Sequence, residues 1–588
     1  MNFFKNFLTA VLGTLTAIGL FFALVLMLVS ATASLLVSPP NEGVVKSNSI
    51  LDLNLNVPIT DRNPEFDELA LLFELNEEVL GLTEILSALS KAKKNPNIKG
   101  IRLRADLITA GWSQTRSIRE ALKQFQNAGK FIYAYGEIMT QKGYYLSSVA
   151  DTLIVNPMGT IEFKGLASEI LYFKDFQEEY GLKMEVVRLG KYKSAVEPFL
   201  ENRMSEDNRT QIKSLLLDLW DTLKKEIAKS RNLPTERLDQ LILAQKITSP
   251  QEAETAQLID GLGYETDWED LIAEKLNLTD KKDLNTTSLS AINLSSEDYD
   301  KQIKDRIAVV YASGPILYGE GTRSTIAQGV FAETLEELAT DDWVKAVVLR
   351  VDSPGGSALT SELLWQALEA VKKEKPLLVS MGNTAASGGY YIAAGADQIF
   401  AEPLSITGSI GVFATLPNAH SFINKIGVNS EIVETHPNAM GYSIFQPLSP
   451  AFDAQLKKGI EQTYTTFKKR VAQGRSLSEA EVEQRAQGRV WTGNQALENG
   501  LVDALGGLPE TLDAAAKAAG IEEYNTVDYP KFEENFSSLI ADLQLTVGIK
   551  QLFNAILPQS LQTKIEQVQQ SQPVDYFQTV LPFELKIY

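Results

Sequence analysis

Four short stretches of the sequence hold the residues with chemistry to offer. "AASGGYY" at 385–391 and "TGSIG" at 407–411 set Ser387 and Ser409 against glycines. "DSPGG" at 352–356 follows an apolar run. Its Gly355 and Gly356 allow a sharp turn that exposes successive backbone N–H groups, as an oxyanion site requires. "YKSAVEPF" at 192–199 places Lys193 among Tyr192, Ala195, Val196, Pro198 and Phe199, apolar company for a lysine. A serine hydroxyl is a weak nucleophile until a neighbouring base takes its proton. The only two histidines, His420 and His436, both lie in polar stretches. The other available base is a lysine kept neutral by burial, a role closed to arginine. Each stretch also has a plain structural reading: a Pro-Gly turn, a helix start packed tightly on a strand, a loop lysine. Taken singly, the motifs leave both serines open.

The elements that must position these residues are written twice. "NIKGIRLRAD" at 97–106 matches "WVKAVVLRVD" at 343–352, and "GYYLSSVADTLIVNP" at 143–157 matches "GYYIAAGADQIFAEP" at 389–403, both at an offset of 246 residues. Each copy alternates apolar β-branched runs with amphipathic helical stretches such as "TSELLWQALEAVKKE", which predicts βα units around a mainly parallel sheet. The copies differ where chemistry would be done. Ser409 falls opposite Phe163, and Lys193 falls opposite Ala439. One copy therefore offers a lysine and the other offers serines and glycine turns, so a site built from both must form where the copies pack together. The expected organisation is an N-terminal segment at 1–45, a first repeat at 46–280, a linker at 281–304, a second repeat at 305–525 and an extension at 526–588.

Composition narrows the function classes. A net charge of −20 argues against a nucleic-acid partner. With no cysteine and two histidines, neither disulfides nor a zinc site is expected. No charged residue occurs from Phe7 to Val37. That length suits a retained transmembrane helix better than a secretory core of about 7–15 residues, although "ATA" at 31–33 would also serve a cleavage site. Lys5 precedes the stretch and Glu42 follows it, which places the N-terminus in the cytoplasm and the bulk of the chain beyond the cytoplasmic membrane.

Together, "DSPGG", "AASGGYY", "TGSIG" and "YKSAVEPF", in an internally duplicated chain with an N-terminal anchor, resemble the signal peptide peptidase A (protease IV) family of serine peptidases, family S49, in its long tandem form. The likeness runs over residues 45–525. It implies two tandem crotonase-like, Clp-protease-like ββα repeats. It also implies a Ser409 nucleophile with Lys193 as general base, signal peptides as substrates, a homotetramer, and no cofactor or metal. By analogy with the Clp subunit, Ser387 is the alternative nucleophile. Two readings from other classes stand beside it: a crotonase-type enzyme acting on acyl-CoA, and an inactive membrane scaffold of the same fold.

Overall fold

The computed structural model describes residues 45–62, 79–294 and 302–532, and the backbone of 578–580. The expected anchor lies, but for its last residue, outside the described residues. Among the described residues no helix is long and apolar enough to cross a membrane.

The two repeats build two α/β units with matching sheets. In the first, Gly261–Leu262, Thr152–Ile161, Phe131–Met139, Ile98–Arg104, Ser49–Asn54 and Asn285–Thr287 lie side by side in that order. In the second, the corresponding series runs through Ile406–Gly408, Leu377–Ala386, Val344–Ser353, Arg306–Ser313 and Asn525–Tyr529. The central pairings are parallel. Parallel strands are covered on both faces, so they read as continuous apolar runs; Val344–Ser353 is buried at all but two positions. The long helices start where the sequence supplies caps. Ser357 accepts the Thr360 N–H at 3.0 Å at the head of Ala358–Glu374, and Lys372 and Lys373 sit in its last turn, where the helix dipole favours cations.

Two boundaries differ from the sequence expectation. Residues 281–294 are not an exposed linker: Asn285–Thr287 pairs with Ser49–Asn54, and Leu289–Leu294 packs on the helix Leu82–Lys94. The polar composition that suggested a linker belongs to the outer face of this edge. The second unit also continues past 525, because Asn525–Tyr529 closes its sheet against Arg306–Ser313.

A third sheet joins the repeats. Its strands run Gly355–Ser357, Gln578–Val580, Val412–Asn418, Lys183–Leu189, all antiparallel. The last pair links the repeats directly, from Leu189 opposite Val412 to Lys183 opposite Asn418. Charged and polar contacts reinforce this junction. Arg116 donates to Glu402 at 2.6 Å, and the Gln211 side chain accepts the Val490 N–H at 3.0 Å. Arg350 grips Asp61 through two bonds of 2.6 and 2.8 Å, and both residues are buried. Removing one partner of a buried pair strands the other charge, at a cost of about 3–5 kcal/mol. Asp61→Ala is therefore expected to destabilise the folded chain by about that amount, read from denaturant unfolding, whereas Lys457→Ala, which breaks an exposed pair with Asp453, should change stability by less than about 1 kcal/mol.

Candidate active site

The strand Lys183–Leu189 delivers Lys193 to the second repeat. After Leu189 the chain turns at Gly190, and Lys193 then packs flat on Gly488, where an added Cβ would lie 2.6 Å from the Lys193 Cβ. Lys193 has no exposed surface. Its Nζ donates to Ser387 Oγ at 2.8 Å, to Ser409 Oγ at 2.9 Å and to the Ser409 carbonyl oxygen at 3.1 Å. Among the described residues no carboxylate pairs with it, and the Phe413 ring lies 5.8 Å away. Burial without a counter-charge pushes the Lys193 ammonium well below its ordinary pKa. The group is thereby set up as a neutral amine, which can accept a proton.

Both serines are buried at the junction and both take positive φ, unusual for a residue with a side chain. Ser387, at φ 55° and ψ −114°, is the pivot between the strand Leu377–Ala386 and the helix Gly388–Ala393. Its N–H is fixed on the Gly408 carbonyl at 2.8 Å. Ser409, at φ 53°, follows the strand Ile406–Gly408, and its N–H is fixed on the Arg489 carbonyl at 2.7 Å. The sequence expectation that lysine and serine meet across the repeats describes this geometry, except that the lysine meets two serines. Neither histidine takes part. The His420 ring pairs with the Phe445 carbonyl and Asn424, and the His436 ring with Thr435.

The "DSPGG" turn lies against the Ser387 pivot: a Cβ on Gly389 would sit 2.8 Å from the Ser353 carbonyl oxygen. The N–H of Gly355 is spent within the turn on Ser353 Oγ at 3.1 Å. Gly356 is pressed on Ile316, whose carbonyl also accepts the Ser357 N–H at 2.7 Å. The sequence reading missed Asp352, which accepts the Thr384 N–H at 2.9 Å and the Asn383 side-chain amide at 3.0 Å. It thereby ties the strand that ends at Ser387 to the start of the glycine turn. Burial, and then the charge of nearby Asp61, pushes its carboxyl up to about 6. An acidic residue at a strand end beside a glycine turn was the available signal.

The same positions one repeat away carry no such chemistry. Gln141, Phe163 and Ala439 stand where Ser387, Ser409 and Lys193 stand in the junction. Gln141 only holds a loop, accepting the N–H groups of Lys164 and Gly165. Because Lys193 leans on Gly488, which is at φ 78°, Gly488→Ala should displace the lysine. Peptidase turnover is expected to fall about a hundredfold or more, since small misplacements of a reacting group are that costly, while the circular-dichroism spectrum stays that of the wild type.

Comparison with known proteins agrees with this arrangement. The description "Peptidase family S49" matches residues 124–279 and 369–522, one stretch in each repeat, and these include Lys193 and both serines. Protease 4 of Haemophilus influenzae is 35% identical over 502 residues, which cover 80% of this chain and 79% of that protein. The chloroplastic serine protease SPPA of Arabidopsis thaliana is 30% identical over 495 residues, covering 81% and 70%. Among solved structures, a ClpP1 mutant from Listeria monocytogenes overlays 35% of this chain and 94% of its own at 13% identity, with a TM-score of 0.24. With both repeats matched and relatives similar over most of their length, the chain belongs to peptidase family S49 and is a serine-type peptidase.

Proposed function

We propose that the chain is a membrane-anchored endopeptidase that cuts apolar peptides, chiefly signal peptides released from secreted proteins, outside the cytoplasmic membrane by Ser–Lys chemistry. One observation carries the chemistry: a buried lysine without a counter-charge whose Nζ lies 2.8 and 2.9 Å from two serine hydroxyls. In this reading neutral Lys193 takes the proton of the attacking hydroxyl, an ester forms between that oxygen and the peptide carbonyl carbon, and the amine leaves with the proton. Water, activated by the same lysine, then hydrolyses the ester. The substrate class and the anchor come from the printed names of the relatives and from the charge-free stretch at 7–37.

Of the two serines, the geometry favours Ser387 as nucleophile, where the sequence resemblance pointed to Ser409. A strained strand-to-helix pivot is the arrangement that presents a nucleophile with the next residue's N–H, here that of Gly388, beside it. The glycine turn touches the same pivot. The backbone strand Gln578–Val580 runs antiparallel to Gly355–Ser357 and packs on the helix that Ser387 opens, so extended peptide is accommodated on this side. Ser409, by contrast, meets Lys193 through both its hydroxyl and its carbonyl, which suits a residue that holds the amine. The test is fluorophosphonate labelling of the full chain in detergent, followed by peptide mapping. Label on Ser387 that disappears in Lys193→Met supports the reading; label on Ser409 reverses the two roles.

A further inference from the structure

We infer that copies of this chain associate head to tail, residues 429–435 of one copy adding as an antiparallel strand to residues 166–172 of the next. The inference is independent of the peptidase reading, because it rests on the internal repeat. Within the chain, Lys183–Leu189 of the first repeat pairs along its full length with Val412–Asn418 of the second. Beside that pair Gly181, at φ 74°, is pressed against the second repeat. Its carbonyl accepts the Phe422 N–H at 2.9 Å, and an added Cβ would lie 2.7 Å from that nitrogen.

The 246-residue offset gives every member of this contact a counterpart. "KMEVVRL" at 183–189 corresponds to "NSEIVET" at 429–435, "VFATLPN" at 412–418 to "LASEILY" at 166–172, Gly181 to Gly427 and Phe422 to Phe176. These counterparts do not meet. Among the described residues, no main-chain hydrogen bond joins 166–172 or 429–435 to any other backbone. Val433 is 100% exposed, Leu171 65% and Phe176 54%. Gly427 repeats the left-handed conformation of Gly181, at φ 81°, yet nothing lies within 4 Å of where its Cβ would be.

The contact is thus made once inside the chain, and its second set of partners is left open. A two-fold relation between the repeats would have closed both sets within one molecule. One closed and one open set is the mark of a heterologous relation, in which the open face of the second repeat fits the open face of the first repeat of another copy. Unpaired extended segments with apolar side chains are also what folded proteins avoid leaving bare. The occupant is therefore a second copy of this chain, in the register of the internal pair: Val433 opposite Ser168, as Val187 is opposite Ala414. A junction of this kind brings together Gln141, Phe163 and Ala439, so it is catalytically blank, and each chain contributes one active site however many copies join.

The chain has no cysteine, which makes disulfide trapping clean. Full-length protein in detergent carrying Ser168→Cys should form disulfide-linked dimers when mixed with protein carrying Val433→Cys. Each variant alone should form none, and Ser168→Cys mixed with Ile432→Cys, whose side chain points to the other face, should be at least about tenfold less efficient. Dimers from one variant alone, or equal trapping at Ile432, would overturn the proposal. As a second readout, Val433→Asp should lower the particle mass in light scattering while hydrolysis of a short fluorogenic peptide per chain stays within about twofold. Wild-type mass in Val433→Asp, with its melting curve unchanged, would also overturn it.

Discussion

Ser387→Ala is expected to reduce turnover of a fluorogenic apolar peptide by about ten-thousand-fold or more, the scale on which removal of a serine nucleophile acts. Ser409→Ala should cost only about ten- to a hundredfold. The asymmetry follows from the three contacts of Lys193 Nζ. Alanine at 409 removes one hydroxyl but leaves the Ser409 carbonyl at 3.1 Å and the Ser387 hydroxyl at 2.8 Å, so the amine stays aimed. A single neutral hydrogen bond is worth about 0.5–1.5 kcal/mol, about tenfold in rate. Ser409→Ala should also move the acid limb of the pH profile to lower pH, because the lost hydroxyl was an acceptor for the charged ammonium. Alanine at 387 removes the oxygen that forms the ester, and no rearrangement supplies another at that pivot. The measurement is kcat and kcat/KM for both variants across pH. Near-wild-type turnover in Ser387→Ala together with a dead Ser409→Ala would assign the nucleophile to Ser409.

These two serines also mark where reading the sequence ran out. The duplication, the parallel α/β grammar and the need for the repeats to meet were all legible, because a fixed offset and buried β-branched runs are local patterns. Lys193 stood out for the same reason: apolar neighbours around a lysine are visible in one dimension. The order of the two serines about the lysine was not. Both sit beside glycines, both take positive φ, and each lies within 3 Å of the same nitrogen; what separates them is the pivot at Ser387 and the extra carbonyl contact at Ser409, which are facts of three dimensions. Asp352 escaped notice because its role depends on two donors some thirty residues away, Asn383 and Thr384. The edge formed by 281–294 was misread because a strand of three residues carries too little pattern to outweigh its polar surroundings.

The second large effect concerns the lysine. Lys193→Met and Lys193→Arg should both be inactive, by about ten-thousand-fold or more, for different reasons: methionine has no base, and arginine remains protonated at any working pH. In the wild type, kcat/KM should rise with pH through the lowered pKa of Lys193 and then level off, because only the neutral amine accepts the proton. The same burial makes a prediction about stability. The unfolded lysine binds a proton up to pH about 10.4, and the folded one releases it far earlier, so between those limits the unfolded state holds more protons and stability must rise with pH. Lys193→Met removes this term. The stability of wild type relative to Lys193→Met should therefore be least favourable at low pH and improve steadily up to about pH 10.4. Asp352 has the opposite sign: its carboxyl, raised to about 6, contributes stability below its unfolded pKa that is lost as pH rises through about 6. Because Asp352 is present in both proteins, its contribution largely cancels in the difference, and the remaining slope belongs to the lysine. Denaturant unfolding of the two proteins at matched pH values gives the comparison directly. A difference that does not change with pH would mean that Lys193 is charged in the folded state, and a charged lysine cannot take a proton from either serine.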